Sequence, residues 1–119
     1  MINVETYRDY CLSKPGVTES CPFGPNTLVF KVMDKMFALS SIDTFEFINL
    51  KCNPERAQEL RANHPAIQPG YHMNKQHWNS VYVDGTLPDE LIYELIDHSY
   101  GLIANSLPKK LKTELEGLR

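Results

Sequence analysis

The chain reads as an α+β protein, a two-layer sandwich in which a mostly antiparallel sheet of about five strands carries helices on one face. Three observations predict this. Short alternating stretches bounded by turn residues follow one another before residue 53 and recur after residue 66. Stretches with apolar residues three and four apart precede, separate and follow these two strand regions. The strands are joined by tight turns, whereas a parallel pair needs a crossover of a dozen residues or more. The expected order is α-β-β-β-(β)-α-β-β-α, and 119 residues fit one domain, 1–119, with a single core.

The first helix is expected over residues 4–14. Asn3 can cap it by accepting from the orphan amides of the first turn. Val4, Tyr7 and Cys11 then fall on one face, and Pro15-Gly16 stops it. A weak strand over 18–23 is interrupted by Pro22. The next strand, 27–33, alternates clearly: Leu28, Phe30 and Val32 point one way, and Val29, Lys31 and Met33 the other. Asp34-Lys35 is expected to turn the chain into a strand over 36–40. A fourth strand, 46–52, sets Ile48, Leu50 and Cys52 on one face. Asn53-Pro54 opens a helix that turns Ala57 and Leu60 inward and ends before Pro65. The extended piece 67–72 contains Pro69, which cannot donate to a ladder and so belongs at a sheet edge. The strand 77–83 ends in the turn Asp84-Gly85. The longest helix, about 88–105, starts with Asp89 and Glu90 near its positive end. Leu91, Leu95 and Leu102 form its expected stripe, with Ile92, Ile96 and Ile103 alongside. A short basic helix, 109–118, follows Pro108.

Composition narrows the function classes. Hydrophobic residues make up 42% and charged residues 23%, ordinary values for a folded domain. No apolar run approaches the roughly 18 residues of a membrane span, and the first residues carry no apolar signal region. The cytoplasm is the expected compartment, with no membrane partner. The net charge of −3 weighs against a dedicated DNA binder. The charge is unevenly spread, however: residues 81–105 are strongly acidic, whereas 51–80 and 106–119 are net basic. Such asymmetry can build a local positive field on an acidic protein.

Catalytic signatures are missing. There is no Gly-Xaa-Ser-Xaa-Gly elbow, no His-Glu-Xaa-Xaa-His zinc helix, and no glycine-rich phosphate loop. The expectation is a protein that is not an enzyme and needs no cofactor. A small-molecule enzyme would require a deep pocket, for which Tyr71, His77 and Tyr100 are the candidate lining. The three cysteines, Cys11, Cys21 and Cys52, include no Cys-Xaa-Xaa-Cys pair. Cys11 and Cys52 fall on inward faces, and Cys21 alone sits where it can be exposed. His64, His72 and His77, with Cys52 upstream, are ligand types that zinc accepts. Their spacing is not that of a tight zinc motif, and no metal is expected. His98 and Tyr100 interrupt the apolar stripe of the long helix and are expected at its rim.

The densest polar segment is Tyr71-His72-Met73-Asn74-Lys75-Gln76-His77-Trp78. A lysine can meet a phosphate, an asparagine can read a base edge or hold a turn, and aromatic rings can stack. The same residues also suit a plain structured loop, with Trp78 on the core and Asn74 holding the turn.

The whole pattern resembles the MmcQ/YjbR family of small bacterial proteins. The resemblance rests on Lys14-Pro15-Gly16-Val17, Asn49-Leu50-Lys51-Cys52, Pro69-Gly70-Tyr71-His72-Met73-Asn74-Lys75-Gln76-His77-Trp78, Leu87-Pro88-Asp89 and Ser99-Tyr100. It implies a fold similar to frataxin-like and secretion-chaperone-like sandwiches. It also implies DNA binding of a double-wing type, with no catalytic residues or cofactor. Carried onto this chain, the implied DNA contacts are Lys51, Asn74, Lys75, His77 and Trp78, with Lys75 on a phosphate and Trp78 anchoring the loop. The alternative is a protein-interaction or chaperone-like module using an outer sheet face kept partly apolar by Val29, Met33 and Phe47.

Overall fold

The computed structural model describes residues 1–118 and has four helices and six strands. Asn3 starts α1 (Val4–Leu12) through a reciprocal capping box: its side chain accepts from the Thr6 amide at 2.9 Å, and the Thr6 hydroxyl accepts from the Asn3 amide at 3.1 Å. The strands are β1 (Val17–Ser20), β2 (Thr27–Val32), β3 (Lys35–Ser41), β4 (Phe47–Lys51), β5 (Ile67–Pro69) and β6 (Trp78–Tyr82). Between β4 and β5 lies α2 (Pro54–Asn63), whose first turn is capped by Asn53 accepting from Glu55 and Arg56. After β6 come α3 (Asp89–Ser106) and α4 (Lys109–Glu116).

The six strands form one sheet in the order β1-β2-β3-β4-β6-β5, and every neighbouring pair is antiparallel. Strand β5, with Pro69, is an edge, as its missing amide requires. All four helices pack on one face. The core there contains Tyr7 and Cys11 from α1, Ala57 and Leu60 from α2, Ile92, Ile96 and Ile103 from α3, and Leu115 from α4. They meet Leu28, Phe30, Val32, Ile48, Leu50 and Val81 from the sheet. No helix among the described residues is long and apolar enough to cross a membrane.

A buried hydroxyl fastens the longest helix to the centre of the sheet. The β3–β4 ladder runs from Ser40 opposite Ile48 to Ala38 opposite Leu50. One step further, Phe37 is an extra residue: Phe30 pairs with Ala38, but Lys31 pairs with Met36. This bulge lies in the β2–β3 ladder, and beside it the β3–β4 pairing ends at Ala38. Ser99, fully buried on α3, bridges the gap: its hydroxyl donates to the Phe37 carbonyl at 2.5 Å and accepts from the Lys51 amide at 2.9 Å. Next to it, Tyr100 packs edge-on against Phe37 and donates to the Pro15 carbonyl at 2.6 Å.

The other helix contacts are polar and lie nearer the surface. His98 Nε2 accepts the Asn53 amide at 3.2 Å, and Arg56 pairs with Glu94, so α3 holds the start of α2. Asp97 accepts from Tyr10 at 2.7 Å and pairs with Lys14, which holds the end of α1.

The structure corrects several expectations. The β2–β3 turn is Met33-Asp34 rather than Asp34-Lys35: Val32 pairs with Lys35, and both turn residues have positive φ, 48° and 70°. That is the turn geometry whose twist matches a hairpin. Met33 therefore leaves the alternation and packs against the helix-side core. On α3 Leu95, Ile92, Ile96 and Ile103 are buried as expected, joined by Ser99, Tyr100 and Ala104, whereas Leu91 and Leu102 are half-exposed. Tyr100 is buried rather than at the rim. Helix α1 stops at Leu12, β1 ends before Pro22, and the extended piece after Ala66 pairs only through Pro69. Gly16 has φ 74°, and a Cβ there would lie 2.6 Å from Leu115 of α4.

Two tests follow from these contacts. Replacing Ser99 by Ala strips both the Phe37 carbonyl and the Lys51 amide of their partner, and chemical denaturation should show a loss of about 1–3 kcal/mol. The His98 pKa is lowered, chiefly by burial, with Arg56 adding to the effect and Glu94 opposing it. A lowered histidine binds fewer protons in the folded than in the unfolded state. Its contribution to stability is therefore complete above about pH 6.5 and is lost as pH falls through the folded value. Thermal unfolding between about pH 7.5 and pH 5 should show a steeper decline in the native chain than in His98→Gln; equal slopes would exclude this role.

Candidate functional site

The face of the sheet opposite the helices has its own order, fixed by strand register. Residues paired across antiparallel strands share a face. At one end Lys31 pairs with Met36 and Lys51 with Trp78, a first row interrupted at the Phe37 bulge; a second row holds Val29, Leu39, Asn49 and Ser80; a third holds Thr27, Ser41, Phe47 and Tyr82. The face thus grades from a basic row to an aromatic one.

Part of this face is covered by the segment between β5 and β6. Trp78 is 9% exposed and forms a small second core with Val29 and Leu39, to which Met36 and Met73 add. Gly70 lets the segment come close: its amide donates to the Trp78 carbonyl at 2.8 Å, and a Cβ there would lie 2.8 Å from the Trp78 Cβ. Asn49 and Ser80 then fix the backbone of Tyr71. The Asn49 side chain donates to the Tyr71 carbonyl at 3.1 Å, the Tyr71 amide donates to the Ser80 hydroxyl at 2.9 Å, and that hydroxyl donates to Asn49 Oδ1 at 2.5 Å. Three polar groups set on a sheet face are satisfied in this way, which is what makes their burial tolerable.

The rest of the segment is bonded internally. Asn74 Oδ1 accepts from the Gln76 and His77 amides at 2.9 and 3.1 Å, and its carbonyl accepts from Trp78 at 3.0 Å. Lys75 donates to the Gly70 carbonyl at 2.9 Å. From α2, the Arg61 guanidinium donates to Asn79 Oδ1 at 2.7 Å, to the Trp78 carbonyl at 3.2 Å and to the Lys75 carbonyl. His72 has φ 58°, and its ring lies 4.1 Å from that of Tyr71. Non-glycine residues in this region cost free energy and cluster at binding sites.

Beyond the segment the face stays open as a cleft of about 430 Å³. Leu39, Met36 and Asn49 are at its floor, and Phe47, Tyr71, His72 and Met73 stand on one side. Phe23, 67% exposed, and Thr27 and Ser41 complete it. Phe47 packs edge-on against Tyr71 with centroids 5.9 Å apart.

The five residues implied as DNA contacts occupy distinct places. Lys51 ends β4, half-buried in the basic row; Asn74, Lys75 and His77 belong to the bonded segment; Trp78 is its buried anchor. Tyr71, His77 and Tyr100 do not line one pocket, because Tyr100 is buried on the helix side and Tyr71 lies on the opposite face. Val29 is fully buried in the small second core, and Met33 is on the helix side, so of the three residues expected on an outer apolar face only Phe47 reaches the cleft. Among the described residues no three His, Cys, Asp or Glu side chains converge as a metal site would require. Burial pushes the Cys11 thiol up to about 12 and raises Cys52 as well, which keeps both protonated. Cys21 is exposed. Asn49, Ser80 and Phe23 carry no motif that marks them as site residues. The available signal was a polar residue at the centre of each of two apolar strands.

Fold and face together define a class: small α+β sandwiches with one helical layer and a tryptophan-anchored segment on the open side of the sheet. The chain belongs to the YjbR family, whose model matches residues 12–102. It is 40% identical to the Escherichia coli K12 protein YjbR over 102 residues, 85% of this chain and 86% of that protein. It is also 40% identical to Bacillus subtilis YyaQ over 75 residues, 63% of each. Both relatives are described as uncharacterized. The crystal structure of Deinococcus radiodurans DR2400, with a DUF419 domain, superposes with a TM-score of 0.91 at 44% identity, covering 100% of this chain and 91% of that one. A Pseudomonas syringae protein gives 0.74 at 32% identity, covering 86% and 99%.

Truncating the anchor tests the site's construction. Trp78→Ala should cost about 3–5 kcal/mol in denaturant unfolding. A loss under about 1 kcal/mol would mean that the segment does not depend on this side chain.

Proposed function

We propose that the protein is a non-enzymatic binding protein that takes nucleic acid, DNA in the first instance, on the open face of its sheet. The observation that carries this reading is that two lysines, Lys31 paired with Met36 and Lys51 paired with Trp78, stand on the open face beside an aromatic cleft. Their strands, β2 and β4, lie two strand spacings apart, about 10 Å, and a lysine on each can meet a phosphate of one nucleic-acid backbone.

The overall charge of −3 does not oppose this. The acidic stretch 81–105 is mostly α3, on the helical layer, where Glu94 and Asp97 already pair with Arg56 and Lys14. An open face bearing lysines can present a positive field on an acidic protein. In this reading Lys51 and Lys75 meet phosphates. The Lys75 ammonium spends one of its three donors on Gly70 and keeps two. Asn74 and His77 set the segment's shape and offer their remaining polar groups, while Trp78 anchors it.

A second reading has its own support. The cleft is lined mainly by apolar and aromatic groups, and exposed Phe23 and Tyr71 stand at its mouth. A partner protein inserting an apolar side chain would use the same surface. Salt separates the two readings, because only phosphate contacts release condensed counterions.

The test is fluorescence anisotropy of labelled DNA titrated at several salt concentrations. Affinity should fall steeply with salt, and Lys51→Ala and Lys75→Ala should each reduce the log–log slope by about 1. Absence of binding at low salt would remove the nucleic-acid reading and leave the protein partner.

A further inference from the structure

We infer that the cleft beside the lysine row is a slot for an unpaired nucleobase, so that the protein prefers single-stranded to duplex nucleic acid. This rests on the nucleic-acid reading above and specifies its ligand.

The first ground is shape and lining. At about 430 Å³ the cleft is near the lower end of the range for small-molecule sites, which suits a base better than a folded partner's surface. Phe23, Phe47 and Tyr71 line it, and Phe23 and Tyr71 are 67% and 58% exposed. Two large aromatic side chains held in water at the mouth of one cleft supply what stacking requires: a π-face that any base can meet.

The second ground is rigidity. The Tyr71 backbone is tied on both sides, by Asn49 at its carbonyl and Ser80 at its amide, and Phe47 meets the ring edge-on. A ring positioned before the ligand arrives loses little further freedom on binding.

The third ground is what surrounds the aromatic rings. Thr27 and Ser41 bring hydroxyl groups to the same cleft, where they can meet a base edge. The Lys31–Lys51 row lies two rows from Phe47, about 13 Å along the strands, on the same face. A strand whose base enters the cleft can thus run its anionic backbone towards the lysines. A duplex cannot do both, since its bases are covered above and below by their neighbours and must first be unstacked.

The experiment compares a labelled oligothymidylate with a duplex of the same length by anisotropy, using the full chain. Emission from Trp78, the sole tryptophan, is followed in parallel, because its neighbours Met36, Leu39 and Met73 also line the cleft. The single strand should bind at least about tenfold more tightly and change the Trp78 emission. Tyr71→Ala should weaken single-strand binding by roughly ten- to a hundredfold. Phe23→Ala, at an exposed position where folding is not at stake, should weaken it in the same direction. Lys51→Ala should weaken single strand and duplex alike. Equal affinity for the two forms, or neutral Tyr71→Ala and Phe23→Ala variants, overturns the base slot and leaves nucleic-acid binding standing. No binding of either form overturns both.

Discussion

Placing every helix on one side of a six-stranded antiparallel sheet creates the constraint on which the rest depends: the two faces must be dealt with by different means. The helix side is solved by ordinary burial. Tyr7, Phe30, Phe37, Ile48, Leu50 and Ile96 are at most 1% exposed and form a continuous core. Such a core is the dominant favourable contribution to folding. It carries the Ser99 hydroxyl, which takes the Phe37 carbonyl and the Lys51 amide where the β3–β4 pairing ends beside the Phe37 bulge. Helix and sheet are thereby fixed in register as well as in contact.

The open side is solved by a smaller device. A segment that contributes no further strand folds back and presses Trp78 onto Val29 and Leu39. Its polar groups are bonded to the sheet through Asn49 and Ser80, and to the helical layer through Arg61, whose guanidinium reaches Asn79 and the carbonyls of Lys75 and Trp78. One charged side chain thus ties both layers to the segment. Hydrogen bonds from a charged donor are stronger than neutral ones, and removing such a donor takes a partner from three acceptors at once.

Because Trp78 covers only part of that face, a cleft remains. Its position follows from the three rows of the sheet: the basic row lies at the Trp78 end, and the aromatic row lies at the uncovered end. Charge is sorted in the same way, with Asp97 and Glu94 of α3 engaged by Lys14, just after α1, and by Arg56 of α2 on the helical layer. The two faces therefore differ in chemistry as well as in cover. The cysteines add no reactive group to the core, since burial holds Cys11 and Cys52 as thiols.

The sequence alone determined the elements whose signals are local. Asn3 and Asn53 cap their helices because a short polar side chain beside free amides acts within one turn. Alternation at Leu28, Phe30 and Val32 fixed which side of β2 faces the core. The run from Pro69 to Trp78 stood out as the segment to watch, and its resemblance to the YjbR family was legible from the same residues. The tertiary structure alone decided what depends on distant partners. Met33-Asp34 lacks the glycine that would have marked a positive-φ turn, and only pairing across the hairpin selects it. Asn49 and Ser80 read as interruptions of apolar strands until Tyr71, 22 residues from Asn49 and nine from Ser80, is brought to them. Tyr71 and Tyr100 look equivalent in sequence, yet they lie on opposite faces of the sheet. Which face a residue occupies is settled by strand order and register, and these are long-range properties that local pattern does not encode.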